Sequence, residues 1–595
     1  MTTKRRKRPL SFHLTLATQL SAADELKTHI EAISGARIPI TGDDTKVNGV
    51  KTLIGPPLSN SSLNKMRKGS DDPATFRISV TNGTVQLMGL SDQGILFAVY
   101  ELLEQLGVRW FVPGEIGTDI PQNSTITVPH QDIIQHPGFA GRILTLNGRG
   151  NNSQKWFRRM KMGGFNTGGL GLGIHADPET EPELFMMGNN HRTKFAHVER
   201  TSGGTKIKVS HPKVLQRVIE ARRKDLGKNP DTKYMSIGPK EGHGFGFDQW
   251  DADDIDPLHG NVSVTDRYVK FFNLVLDDIQ RDYPNVGLSF YCYSQHMRPP
   301  VREKPNSKIL PVLAPIDICR LHDIDNPHCW ERQYIKKIIE GWKALDVKMM
   351  YRGYLFNLAD HGLPFSMIQQ VHREYPYYHQ QDMIACRVEC HPAWAYHGPS
   401  LYLAAKIMWN PALDVDATLD DYFSRFYGPA ARPMRTHFEI LESAIQKADY
   451  HTGNVFDMPH ILTPKVMDKM KITLQQAENL AIDDSIYVRR VNMIRIGYDY
   501  GVANLAMMAA VKNFDSVLAK EQLDLITKEI GPKALAHEPP LISWRYDDVE
   551  RGFINRFWQQ TVEPGRNRTT NGNELVAKLP DEWFSCLIRL MAVKD

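Results

Sequence analysis

Two glutamates stand where an α/β enzyme would place its chemistry. Glu241 follows the short apolar run Tyr234-Met-Ser-Ile237, inside the loop Gly238-Pro-Lys-Glu-Gly-His-Gly-Phe-Gly-Phe-Asp-Gln-Trp-Asp-Ala-Asp-Asp254. Glu389 follows the run Met383–Val388. A buried strand ending in a loop of carboxylates, glycines and aromatics is how an α/β barrel presents reactive groups at its C-terminal face. Glycine lets the backbone approach a ligand closely. Carboxylates accept hydrogen bonds from sugar hydroxyls, and a Trp offers a flat apolar face to a pyranose. A calcium loop is the competing reading, but the Gly and terminal Glu of an EF-hand are missing.

Glycoside hydrolysis needs an acid to protonate the leaving oxygen and a second group to stabilise or attack the anomeric carbon. Glu241 is the candidate general acid/base, with Phe245 or Trp250 as the apolar wall that would raise its proton affinity. Glu389 is the candidate nucleophile or stabiliser, with Arg387 and His391 beside it. The other strand ends are also polar. Arg149, His243, Trp250, Tyr293, His296, Tyr351, Arg352, Asp360, His361, Arg387, His391 and Trp394 are the candidate sugar contacts. A lone His or Arg is more often structural; a set spread over six strand exits is harder to explain that way. Their Arg and His density also suits a carboxylated or sulfated sugar. That opens a uronate lyase as an alternative, with Tyr or His taking the C5 proton while Arg neutralises the carboxylate. A non-catalytic glycan-binding protein is the third reading, since fold does not fix function.

These side chains need a scaffold that brings strand ends together. After Pro137 apolar runs alternate with helical patterns, which argues for βα units. The runs are Gly141–Leu146, Phe165–Leu172, Lys233–Ile237, Val286–Tyr293, Lys308–Ala314, Val347–Tyr351 and Met383–Val388. Helices are expected over Ser153–Met162, Pro212–Leu226, Thr265–Tyr283, Cys329–Leu345 and Pro364–Tyr375. Seven strands predict an α/β fold with a (β/α)8-type, TIM-like barrel, and the lack of an evident eighth leaves both a complete and an incomplete barrel open. Ahead of it, Phe12–Leu16 and Val50–Gly55 read as strands and Ala22–Ile33 as a helix. Phe76–Val80 and Val85–Gly89, joined through Asn82-Gly83, form a hairpin pattern. Leu401–Met408 carries Leu401, Ala404, Ala405 and Met408 on one helical face. Residues 432–511 and Val517–Ile530 are helical in pattern, with Gly531 beyond the end. The expected organisation is a basic tail over 1–10, an N-terminal α/β domain over 11–130, the barrel over 137–431 and a mainly helical domain over 432–595.

Two stretches carry a family resemblance. Asp92-Gln-Gly-Ile-Leu-Phe-Ala-Val-Tyr-Glu-Leu-Leu-Glu-Gln-Leu-Gly-Val-Arg-Trp-Phe-Val-Pro-Gly114 is similar to the N-terminal domain that precedes the barrel in glycoside hydrolase families 20 and 67. Asp414-Val-Asp-Ala-Thr-Leu-Asp-Asp-Tyr-Phe-Ser-Arg-Phe-Tyr-Gly-Pro-Ala-Ala431 resembles a bacterial domain family of unknown function whose members founded glycoside hydrolase family 163, endo-acting β-N-acetylglucosaminidases. The resemblance implies a carbohydrate-active barrel behind a domain that does no chemistry, and a periplasmic or extracellular location. With an N-acetylated substrate it also implies that the acetamido group can attack, Glu389 or Asp360 then only orienting it. Gly238-Pro-Lys-Glu-Gly242 departs from that family's Asn-, Asp- and Cys-rich loop, so substrate and acid stay open.

The bulk composition fits this reading. The chain has 595 residues, enough for two to four domains, with 41% hydrophobic and 24% charged residues. A formal net charge of +4 gives no case for nucleic acid. The basic run Lys4–Pro9 is followed by no apolar h-region, so no signal peptide is read, and a cytoplasmic location stays open. No apolar run has transmembrane length, so no membrane is expected. The six cysteines include no CxxC pair and read as buried thiols, so no metal and no cofactor is expected. The expected partner is an oligosaccharide or polysaccharide, acidic on one of the readings above.

Overall fold

The computed structural model describes residues 16–42, 49–146, 152–165, 167–185, 206–240, 245, 263–316, 318–357, 362–451, 455–482, 485–543 and 561–562. The first part of the chain builds a small mixed sheet. Helix α1 (Leu16–Ser34) takes up the end of the expected strand Phe12–Leu16, whose other residues lie outside the described ones. Strand β1 (Lys51–Ile54), helix α2 (Asn60–Arg67), the hairpin β2 (Phe76–Thr81) and β3 (Thr84–Gly89), and helix α3 (Asp92–Gln105) follow. The hairpin turns at Asn82-Gly83 as expected, with Gly83 at φ 76. Ser91 caps α3 by accepting from Gly94 N. A short pair, β4 (Arg109–Trp110) and β5 (Thr118–Asp119), and then β6 (Gln131–Gln135) complete a sheet of order β1-β3-β2-β6 beside that pair.

The second sheet carries the candidate site. Its strands are β7 (Gly141–Leu146), β8 (Gly163–Gly164), β9 (Tyr234–Ser236), β10 (Gly287–Cys292), β11 (Ile309–Leu313), β12 (Met349–Tyr354) and β13 (Met383–Cys390). Between them run α4 (Asn152–Arg159), α5 (Pro212–Lys228), α6 (Val264–Ile279), α7 (Trp330–Lys343) and α8 (Ile368–Gln380). The order is β8-β7-β13-β12-β11-β10-β9, parallel throughout except for β7 with β8. The first parallel strand therefore pairs with the last, as it does when a βα series curls on itself. The result is a curled seven-stranded half-barrel. β11 is buried along its whole length, the pattern of a parallel strand covered on both faces.

The expected strand Phe165–Leu172 is not formed. Gly168 and Gly171 lie at φ 93 and 83, a left-handed conformation that interrupts a regular extended run. The segment instead crosses the open side of the sheet, where Gly168 N donates to Ser289 Oγ at 3.0 Å and Gly238 N to Gly171 O at 3.1 Å. A Cβ on Gly168 would stand 2.7 Å from the Tyr291 ring.

The rest is helical: α9 (Trp394–Trp409), α10 (Val415–Tyr427), α11 (Ala431–Gln446), α12 (Met458–Ile461), α13 (Pro464–Leu480), the 28-residue α14 (Ser485–Lys512), α15 (Ser516–Asp524) and α16 (Gly531–Ala536). Asp414 caps α10. Gly531 does not end the helical stretch, which runs on through a wider turn over Leu525–Ile530 into α16. α9 was expected to hide one face; nearly all of it is buried, because it is sandwiched between the two sheets and α14. Its Trp409 ring stacks on Phe76 at 5.7 Å and meets Phe97 edge-on at 5.6 Å.

A buried charge cluster joins these layers. Lys161 Nζ donates to Glu101 and to Glu104, both at 2.7 Å, and Lys406 of α9 also donates to Glu104. Burial would raise the Glu104 carboxyl, but the two ammoniums outweigh it and pull it from 4.5 to about 2. A depressed carboxyl contributes stability above its unfolded value and loses it as pH falls. The folded protein should therefore lose about 3 kcal/mol from this group between pH 4.5 and about 2, and Glu104→Gln should flatten that acid limb in urea titrations.

Candidate active site at the strand ends

Period-two alternation divides each strand of the curled sheet into an inner and an outer set. Register then lines up the inner set across strands. Arg352 on β12 pairs with Arg387 on β13 and Tyr354 with Glu389; across the next pairing, Arg387 faces Ile143 and Glu389 faces Thr145. On the other side Met350 pairs with Val312, and Val312 with Tyr291. Leu310, Val312, Met350 and Ala385 make the dry floor, with Phe165, Tyr234 and Tyr291 packed against it. The polar residues stand above this floor at the C-terminal ends of the strands, where parallel α/β sheets place ligands.

At the centre Arg352 donates through Nη2 to Glu389 Oε1, and through Nη1 to the Tyr354 hydroxyl at 3.1 Å. Its guanidinium lies 5.0 Å from the centre of the Tyr291 ring and 5.8 Å from that of Tyr354. Arg320, from the segment between β11 and α7, covers the Tyr354 ring at 4.7 Å and donates to the Ile316 carbonyl at 2.9 Å. Burial disfavours the Arg352 charge, but Tyr354 and Glu389 more than offset it and hold the guanidinium protonated. Burial also pushes the Tyr354 hydroxyl up to about 12, so it is a hydrogen-bond donor rather than a base at ordinary pH. Arg387 reaches Thr145 Oγ1 at 3.5 Å, the limit of a hydrogen bond.

The expected site residues divide into three groups. Glu389, Arg352 and Arg387 come together as just described, and Tyr293 lies half-buried beyond β10, within electrostatic reach of Tyr354. Four others are placed in packed surroundings. Tyr351 points to the outer face of the sheet and lies on the Tyr378 ring at 4.2 Å, because it is one residue out of phase with Arg352. Trp394 opens α9 in the core, edge-on to Trp156 at 5.1 Å, and so is no exposed platform for a sugar. His296 is buried against Phe245 and Tyr268, and burial together with Lys206 pushes it down to about 3. It is therefore a neutral ring, not a cation for an acidic ligand. His391 is buried with its ring 4.0 Å from Phe356. Glu241, Arg149, His243, Trp250, Asp360 and His361 lie outside the described residues. The expected apolar wall Phe245 is buried.

The candidate sugar contacts leave out Tyr354, Tyr291, Thr145 and Arg320, although Tyr354, Tyr291 and Arg320 also stand at the polar strand exits. Counting back and forth by two from Arg352 and Tyr293 would have found the first two. Thr145 needed the β7–β13 register, and Arg320 needed the path of a loop. A separate cavity between α1 and α4 is lined by Glu25, His29, Lys155 and Arg159, which pair with one another away from the strand ends. The described cysteines are all buried and free, as expected, but Cys319 and Cys329 lie together with His322 and His451. Among the described residues, no helix is long and apolar enough to cross a membrane.

Two solved structures share this fold across most of the chain. One is a family GH115 4-O-methyl-α-glucuronidase with specificity for decorated arabinogalactans: TM-score 0.54, 11% identity, covering 93% of this chain and 78% of that one. The other is a family 89 glycoside hydrolase from Clostridium perfringens in complex with PUGNAc: TM-score 0.52, 10% identity, covering 95% and 78%. The fold is thus one that glycoside hydrolases use. By sequence the chain belongs to the family described as a domain of unknown function, DUF4838, whose model matches residues 112–439, more than half of its length. No curated protein is matched.

Proposed function

We propose that the protein is a glycoside hydrolase acting on an acidic, uronate-containing glycan at the strand ends of the curled sheet. The observation that carries this reading is the Arg352–Glu389 pair, set among tyrosines above a dry floor at the C-terminal ends of parallel strands. Glu389 acts as nucleophile or electrostatic stabiliser of the oxocarbenium-like transition state. Arg352 orients it, and Tyr354 donates a hydrogen bond. Glu241 is the proton donor. Arg352 and Arg387 set two guanidiniums beside Glu389, which favours a carboxylated sugar. The similar fold of a glucuronidase supports the same choice. The sequence resemblance to family 163 would favour an N-acetylhexosamine instead.

In this reading the barrel over 137–431 does the chemistry. The α/β domain over 11–130 and the helical domain over 432–595 support it, and the protein works in the periplasm or outside the cell. The lyase alternative requires a phenol or imidazole that accepts a proton near neutrality, and the raised Tyr354 hydroxyl and the lowered, buried His296 weigh against those two residues as the base. The test is the intact chain on a panel of uronate-rich and neutral N-acetylated glycans, read by reducing ends and ultraviolet absorbance together. Reducing ends from the uronate glycans without an absorbing product are expected. An unsaturated, absorbing product would establish a lyase, and binding without turnover a glycan-binding protein.

A further inference from the structure

Behind the strand-end face, the segment between β11 and α7 carries a second constellation. Cys319 and His322 lie on that segment, Cys329 is the residue before α7, and His451 comes from the chain just after α11. One donor atom from each lies within 4.8 Å of all the others. Cys319 Sγ is 3.4 Å from His322 Nδ1, and Cys329 Sγ is 3.2 Å from His451 Nδ1. Four ligands around zinc at about 2.3 Å for sulfur and 2.0–2.1 Å for nitrogen stand about 3.5 Å apart along a sulfur–nitrogen edge. The two pairs are therefore already at coordination spacing.

The surroundings complete the case. His322 Nε2 lies 2.9 Å from the Ala448 carbonyl. A carbonyl only accepts, so Nε2 carries the proton and Nδ1 presents its lone pair to the cluster. Ligating histidines are held this way, with the second ring nitrogen donating to a backbone oxygen. The supporting chain is fixed too: Gln370 and Gln446 both donate to the Leu321 carbonyl, at 2.7 and 2.8 Å. Cys319, His322 and Cys329 are buried, while His451 is only partly so and leaves a way in for an ion.

We infer that Cys319, His322, Cys329 and His451 form a structural zinc site of the Cys2His2 type. Two thiolates and two imidazoles with four filled positions suit zinc and leave none open for a substrate. The ion ties the β11–α7 segment to the chain after α11. Arg320 stands inside the tied segment, so the site also fixes the guanidinium over Tyr354.

The test uses the full chain purified with reductant and without chelator, then desalted. About one zinc per chain is expected by elemental analysis. Cobalt put in its place should give the thiolate charge-transfer and visible bands of a tetrahedral site, and stripping with chelator should lower the thermal midpoint. Cys329→Ser and His451→Ala should each cut retained zinc at least tenfold; His451 is partly exposed, so its variant should keep the native circular dichroism. The inference is overturned if reduced, folded protein retains less than a tenth of an equivalent and gives no cobalt spectrum, or if both variants retain as much zinc as the parent. A Cys319–Cys329 disulfide in the non-reduced protein would also overturn it. None of these readouts depends on glycan turnover, so they stand apart from the hydrolase reading.

Discussion

Glu389→Gln is expected to lower glycan hydrolysis by about 10³-fold with the fold intact, the scale of losing one charged catalytic group. The amide keeps the side chain's shape, and its oxygen can still accept from Arg352 Nη2, so the strand-end face should hold together. What is lost is the negative charge that would stabilise or attack the developing cation. Arg352→Gln should cost less, about 10²-fold, because it loosens the carboxylate without removing it. Both variants should match the parent in thermal midpoint within a few degrees, since both side chains of the pair stay partly open to solvent, at 17% and 23% exposure. The measurement is kcat/KM on whichever glycan gives reducing ends in the panel. If Glu389→Gln keeps more than a tenth of the activity, Glu389 is not in the chemistry.

The largest stability effect is expected one layer outward. Arg332 on α7 and Glu374 on α8 form an ion pair at 2.9 Å with side-chain exposures of 1% and 5%. Tyr378 donates to the other oxygen of Glu374 at 2.7 Å, and Tyr351 of β12 packs on Tyr378. This polar seam lies between the outer face of the sheet and its helices. Glu374→Ala would leave the Arg332 charge buried without its partner, which costs about 3–5 kcal/mol. By contrast Glu439→Ala, which removes an exposed pair with Arg435, should cost under about 0.5 kcal/mol. Urea midpoints of the two variants compare them directly. Equal midpoints would mean that the seam relaxes or takes in water.

Much of the scaffold was legible in the chain itself. β7 has the expected limits, and β9 to β13 lie within three residues of theirs, because each is a short apolar run bounded by turn residues or a helix. The hairpin at Asn82-Gly83 and the cap of α3 at Ser91 were written locally as well. So was the idea that polar strand ends gather, since a βα series must bring the C-terminal ends of its strands to one side.

Which side chains gather was decided only in three dimensions. Tyr351 and Tyr354 look equivalent in sequence, yet a one-residue difference in phase sends Tyr351 under α8 and Tyr354 to Arg352. Trp394 looked like a sugar platform because it follows Glu389 closely; a turn into α9 buries it on Trp156. Thr145 and Arg387 are 242 residues apart and meet because the sheet curls until its first parallel strand pairs with its last. Cys329 and His451, 122 residues apart, meet through the packing of the helical layer on the sheet. Local patterns fix what each segment becomes, since backbone sterics and short-range burial act over a few residues. Register, sheet closure and layer packing fix which side chains share a site, and these depend on contacts that no local stretch of the chain contains.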